Sequence, residues 1–344
     1  MNGKLSRSVR GWMPRSNPRL FDPIAYPSII FVILLIVIGA SASSAFIGVF
    51  NVSNVLIQVT PLLLISLGQL IAVGSGGLDL SVGSTASLSA VTAAVLFEVV
   101  GPPLAILAAI GVALLVGLVN GLLVAIGLEP FLVTLATLSI VQGVAFIVTP
   151  IPAGTVPEWF TGLAQLWVNI PVALPLVVIV AIGTGYFFRR TQTGTDILAV
   201  GGDTSIAKLL GVRVNWTLVK TYVLVALLAG LAGLFLVART RTGDPTIGAR
   251  FALESLAAVV VGGTLLAGGR ITVVGTVFGA FALGLVPNVM NLAGVPTFYQ
   301  TASKGAILLL AIVLPIVVAS FVRTHQRRGL VKVRDQVLKV LMRH

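Results

Sequence analysis

The chain has no cysteine and only two histidines, His325 and His344, in 344 residues. Without thiols there is no disulfide, no thiol nucleophile and no cysteine metal site. Both histidines fall in a basic C-terminal stretch, which excludes a Ser–His pair or a histidine metal site in the apolar body of the chain. Charge is scarce as well. Only 9% of residues are charged, against about 25% in a soluble domain. Not one Lys or Arg occurs between Arg19 and Arg189, so the surface of a soluble protein cannot be built from this region. The pattern G-x-x-x-x-G-K-[ST] is absent, so the chain carries no P-loop and does not itself hydrolyse ATP. Two convergent membrane acids are also missing, because Asp79 is the only Asp at expected membrane depth before Asp196. No catalytic residue, cofactor or metal is therefore expected.

What remains is apolar. Hydrophobic residues make up 57% of the chain and the mean hydropathy is +1.09. Runs at 28–48, 55–74, 104–127, 131–149, 171–188, 218–238 and 305–322 reach or approach the roughly 20 residues that cross a hydrocarbon core. These features predict an all-α polytopic membrane protein. The net charge of +12 is no sign of nucleic-acid binding, because it is concentrated in three clusters beside apolar spans. One lies between Lys4 and Arg19, one between Arg189 and Lys220, and one between Arg323 and Arg343. By the positive-inside rule all three are cytoplasmic, so an even number of crossings separates each pair. Six spans fit the first interval, near 27–48, 53–75, 81–100, 103–127, 130–150 and 169–188. Four fit the second, near 217–238, 253–269, 271–291 and 301–322. The expectation is about ten helices with both termini cytoplasmic. Residues 1–26 form a basic arm, 27–322 the membrane domain with a cytoplasmic loop at 189–216, and 323–344 a basic tail. The arm lacks a small-residue cleavage site, so it is read as no cleavable signal. Spans 81–100 and 253–269, rich in Gly, Ser and Thr, are the weakest and suit re-entrant segments. Residues 149–171, with Trp159 and Trp167, read as an interfacial loop on the outer side. Arg239, Arg241 and Arg250 fall on that side too, against the charge rule, with Asp244 and Glu254 close by.

The stretch "GGLDLSVGS" (76–84) places a carboxylate where burial costs roughly 2.5–3.5 kcal/mol on insertion scales. The cost falls if Gly76 and Gly77 turn the chain and Asp79 caps the helix that follows. Ser81, Gly83, Ser84, Thr85, Ser87 and Ser89 then give a small polar helix that packs closely or lines a wet path. Further on, Asp203 is a good N-cap and Gly211 a good stop. Between them Ile206, Leu209 and Leu210 share one face, beside Ala207, while Lys208 points away. A short amphipathic cytoplasmic helix of this kind suits either docking into a groove on a soluble partner or lying on the lipid surface. Glu254, near three arginines, reads as a surface ion pair or a contact for an outer partner. Gly262/Gly263 and Gly268/Gly269 allow tight turns. Asn120, Asn288 and Asn291 are neutral groups within spans, suited to solute hydroxyls or to interhelical pairs. "GVALLVGLVNGLLVAIGLEPF" (111–131) and "GAFALGLVPNVMNLAGVPTF" (279–298) share an order of glycine, asparagine and proline, and the count runs them in opposite directions, as in an inverted repeat.

"GGLDLSVGS" closely resembles the glycine–acid–serine signature of the ribose/xylose-type sugar permeases of bacterial ATP-binding cassette importers. Four more stretches match in order: "EPFLVTLATLSIVQG" (129–143), "TQTGTDILAVGGDTSIAKLLGV" (191–212), "LESLAAVVVGGTLLAGGRITVVGTVFGA" (253–280) and "YQTASKGAILLLAIVL" (299–314). The resemblance covers roughly residues 55–315. Gln142 and Thr195 stand where that family usually has arginine, and Asp203 where it usually has asparagine. The resemblance implies a permease fold in the inner membrane, working as a homo- or heterodimer. It implies a separate ATPase subunit, met by a coupling helix at 203–211, and a periplasmic or lipid-anchored binding protein. The solute it implies is a monosaccharide or neutral polyol, which agrees with the few fixed charges in the spans. A permease for branched-chain amino acids or nucleosides is the alternative within that class. An ion-coupled carrier is the alternative outside it; its candidate acids are Asp79, Glu98 and Glu129.

Overall fold

The computed structural model describes residues 26–310 except 168, 169, 297, 301, 304 and 308. The basic arm, the basic tail and most of the span expected at 301–322 lie outside the described residues.

The fold is helical. Its helices are α1 (Tyr26–Ala42), α2 (Val49–Gly74), α3 (Val82–Leu96), α4 (Pro102–Ala125) and α5 (Pro130–Val148). There follow a single turn α6 (Glu158–Thr161), a 3-10 turn (Gly162–Ala164) and a two-residue antiparallel ribbon, β1 (Leu166–Trp167) with β2 (Ile170–Pro171). The second half is α7 (Ala173–Arg190), α8 (Gln192–Gly202), α9 (Thr204–Leu209), α10 (Val214–Thr240), α11 (Phe251–Val261) and α12 (Val273–Leu292). Several boundaries follow from local chemistry. Pro102 and Pro130 open α4 and α5, where a missing N–H costs nothing. Gly76, at φ 83°, ends α2, and its N–H returns to the Val73 carbonyl.

Among the described residues five helices, α2, α4, α5, α10 and α12, are long and apolar enough to cross a membrane; α7 and α8, bent by 73°, make a sixth if taken as one broken span. This is a polytopic all-α membrane protein. Three expected spans come out shorter, α1 among them with 17 residues, about 26 Å. α3 has 15 residues, about 22 Å, and α11 has 11, about 16 Å, against a hydrocarbon core of about 30 Å. The segment expected at 253–269 thus leaves the helix at Gly262 and runs on as turns to Thr272.

Burial separates the helices into two kinds. α2 is enclosed from Val59 to Gly74 and packs against α7, α10, α11 and α12. α4 instead buries one stripe: Ala105, Ala109, Ala113, Gly117 and Gly121, four residues apart, with Asn120 and Val124. Small residues at that spacing let its backbone approach α10 closely. A Cβ added to Gly121 would stand 2.7 Å from Val219 Cα. The remaining faces of α4 carry exposed Leu104, Leu107, Leu115 and Leu122. In water such a face would be an aggregation site, but it matches lipid tails.

Candidate functional site

The turn between α2 and α3 is enclosed. Asp79 is 1% exposed and is the one buried acid among the described residues. Its Oδ1 accepts from the Ser81 backbone N–H (2.8 Å) and from the Ser81 hydroxyl (2.6 Å). The expected cap is corrected here: Ser81, not Asp79, occupies the N-cap of α3, and Asp79 closes an Asx turn two residues earlier. Asn120 of α4 donates through Nδ2 to Ser81 Oγ (2.9 Å) and accepts through Oδ1 from the Thr137 hydroxyl of α5 (2.7 Å). One chain of buried bonds therefore runs Asp79–Ser81–Asn120–Thr137 across three helices. Each neutral bond of this kind contributes about 1 kcal/mol net, and more where the acceptor is charged. Leaving one partner unsatisfied costs about 1–3 kcal/mol. The Leu78 carbonyl is approached by Thr134 Oγ1 and by Tyr222 Oη of α10, each at 3.4 Å. The tyrosine ring leaves no room at Gly77, where an added Cβ would lie 2.5 Å from Tyr222 Oη.

Most of the polar groups singled out from sequence serve packing in this conformation. Ser84 donates to the Ser81 carbonyl, Ser87 accepts from the Gly248 N–H, and Ser89 donates to the Gly230 carbonyl. An added Cβ at Gly83 would stand 2.5 Å from the Gly248 carbonyl oxygen. Asn288 of α12 exchanges hydrogen bonds with Asn51 of α2, at 2.7 and 3.2 Å. Gln142 donates to the Pro245 carbonyl (2.8 Å). Glu98 and Glu129 lie at helix ends and are exposed, with Thr155 donating to Glu98. Glu254 is half-buried in the first turn of α11.

Two glycine contacts set the geometry of the C-terminal segment. An added Cβ at Gly262 would meet Gly275 backbone at 2.5 Å, which fixes the crossing of α11 and α12. Gly268 and Gly269, both at positive φ, press on Gly76 and on Gly201–Gly202. Gly269 donates its N–H to the Gly74 carbonyl (3.1 Å). The end of α8, the end of α2 and the 262–272 turns thus meet backbone to backbone.

Beyond this junction comes α9. Asp203 closes α8 through its N–H to the Ala199 carbonyl, and its Oδ1 caps α9 by accepting from Ser205 N (2.8 Å) and Ile206 N (2.9 Å). Gly211, at φ 83°, ends the turn. Ala207 is buried against Val200 and Val214, while Ile206, Leu209 and Leu210 are exposed, Leu209 to 87%. The opposite end of the bundle holds the 149–157 segment and the α10–α11 turn, joined by reciprocal bonds between Ala153 and Gly243. Arg241 and Arg250 and the exposed Trp159 belong to that end. Thr137, Tyr222, Gly201 and the buried Gln69 were not found from sequence. Gln69 was findable, as an amide within an apolar run.

The chain matches a family model described as "Branched-chain amino acid transport system / permease component" over residues 51–312. It is 36% identical to the ribose import permease protein RbsC of Escherichia coli (strain K12) over 300 residues, 83% of this chain and 92% of the relative. It is 30% identical to the D-allose transport system permease protein AlsC of the same strain over 292 residues, 83% and 89%. With the L-arabinose ABC transporter permease protein AraH of Azospirillum brasilense it shares 34% identity over 286 residues, 81% and 82%. No solved structure matches it.

Proposed function

The chain belongs to the branched-chain amino acid transport system permease component family, and from that premise we propose that it is the membrane-spanning permease of an ATP-binding cassette importer for a monosaccharide or related neutral polyol. The observation that carries the choice of solute is the set of relatives, whose names specify ribose, allose and arabinose. Charge supports it. Asp79 is the one buried charged residue among the described residues, and its hydrogen bonds go to Ser81. A zwitterionic amino acid would bring a carboxylate and an ammonium, each needing a partner once out of water. The chain itself is a transport subunit; ATP hydrolysis belongs to a separate ATPase, and a binding protein delivers the solute.

In this reading about ten helices cross the inner membrane with both termini cytoplasmic, and the α4 and α12 segments belong to inverted repeats. Two permease chains form the dimer, with lipid on the exposed leucine faces. The ATPase docks on α9 through Ile206, Leu209 and Leu210, beside Ala207 and Lys208, with Asp203 and Gly211 fixing the ends of that helix. Transport needs only that solute and ATPase bind two bundle conformations with different affinity. Gly76, Gly77, Asp79, Ser81, Gly83, Ser84, Asn120 and Asn288 hold the pathway helices in register. Glu254, in the first turn of α11, faces the binding protein, and Gly262 and Gly263 shape the turn at the other end of that helix.

The test is co-expression with the ATPase and binding protein, followed by purification through the permease. Leu209→Asp should lower the recovered ATPase at least tenfold, because a carboxylate in an apolar groove stays unpaired. Solute uptake by the permease alone in liposomes, with no ATPase ever associated, would overturn the importer reading. A second expected result separates it from an ion-coupled carrier. Asp79→Asn, which keeps an acceptor for Ser81, should retain most uptake, whereas Asp79→Leu should lose it. Loss of uptake in a folded Asp79→Asn protein would point to proton or sodium coupling.

A further inference from the structure

Gln69 lies in the enclosed helix α2 and is 0% exposed. Neither its Nε2 nor its Oε1 has a hydrogen-bond partner among the described residues. An amide brings two donors and an acceptor with two lone pairs, and about nine in ten buried polar groups in native proteins are paired. Leu67 and Leu70 beside it are fully buried and carry no such penalty. A buried amide with no partner costs free energy that an apolar side chain does not, so Gln69 works against the stability of this conformation. Among the described residues Thr85 of α3 has the other unpartnered buried atom, a single hydroxyl. The position adds to the case. α2 packs against α7, α10, α11 and α12 at once, and Gly68, the preceding residue, lies close to the Val225 carbonyl of α10. Any sliding of these helices changes what Gln69 meets. Pro61, within α2, removes one helical bond and eases such bending.

We propose that Gln69 is a solute-contacting residue: in a second conformation of the bundle its amide faces the pathway and hydrogen-bonds hydroxyl groups of the transported solute. Adjacent hydroxyls on a sugar offer a donor and an acceptor together, as one amide does. The inference rests on the importer reading. The cysteine-free chain makes the test direct, since Gln69→Cys introduces its only thiol. The permease–ATPase–binding-protein complex in liposomes is treated with a small water-soluble methanethiosulfonate, at rest and during ATP turnover, and labelling is read on the permease. Labelling should run at least tenfold faster in turnover and be slowed by ribose, allose or arabinose. Gln69→Leu should melt no lower than the parent and retain its ATPase, yet lose at least tenfold in uptake. Labelling in turnover within twofold of rest, no protection by any of the three sugars, or Gln69→Leu uptake within twofold of the parent would overturn the proposal. ATP hydrolysis in the same preparation separates the two readings: if no ATPase associates, the importer reading falls and this inference with it.

Discussion

Gly117→Leu should abolish recovery of folded protein. An added Cβ at Gly117 would stand 2.5 Å from both Ala226 Cβ and the Tyr222 carbonyl oxygen, and 3.0 Å from Val223 Cα. Two of the three are backbone atoms of α10, which cannot rotate aside. α4 cannot retreat either, because Ala109 and Ala113 on one side of Gly117 and Asn120 on the other are held in the same interface. Overpacking by a methylene or two already costs about 1–3 kcal/mol, and leucine adds a whole side chain. Size-exclusion chromatography in mild detergent should return less than a tenth of the parent yield as a single peak. Gly111→Leu is the control: it lies in the same helix, with nothing within 4 Å of an added Cβ. It should purify like the parent.

The second large effect is expected at Gly201. There an added Cβ would meet the Gly74 carbonyl oxygen at 2.1 Å and Gly269 N at 2.8 Å. Relief is available, since α8 and α9 lie at the edge of the bundle and can swing outward. Gly201→Leu should therefore fold and still bind the ATPase, but lose at least tenfold in uptake while ATP hydrolysis continues. Gly185→Leu in α7, where an added Cβ has nothing within 4 Å, should leave uptake unchanged. Equal uptake in the two variants would show that the glycine junction carries no motion.

The ends of α9 were readable because Asp203 and Gly211 act within three or four residues of themselves. The positions of α2, α4, α5, α10 and α12 were readable because hydropathy is a local sum. Where the reading failed, the cause was a glycine turn that hydropathy does not weigh, or a partner far along the chain. Hydropathy stays high through Val261 and into Leu265 and Leu266, yet α11 stops where Gly262 and Gly263 allow the backbone to turn. Asp79 looked like a cap from its neighbours alone. Its setting depends on Asn120, 39 residues beyond Ser81, and on Tyr222, 144 residues beyond Leu78. No periodicity records such pairs. The small-residue stripe of α4 was visible as letters, but its partner on α10 was not.

The 73° bend at Thr191 makes α8 a short crank. Its eleven residues reach about 16 Å from pivot to tip. A swing of about 10° at the pivot moves the tip by roughly 3 Å over that length. The tip is Gly201–Gly202, seated without slack on Gly74 and Gly269. Because close-packed atoms at the tip cannot absorb such a stroke, a force that presses α9 inward would displace the end of α2 and the 262–272 turns together. A modest rotation at the α7–α8 bend thus becomes a translation at the end of α2.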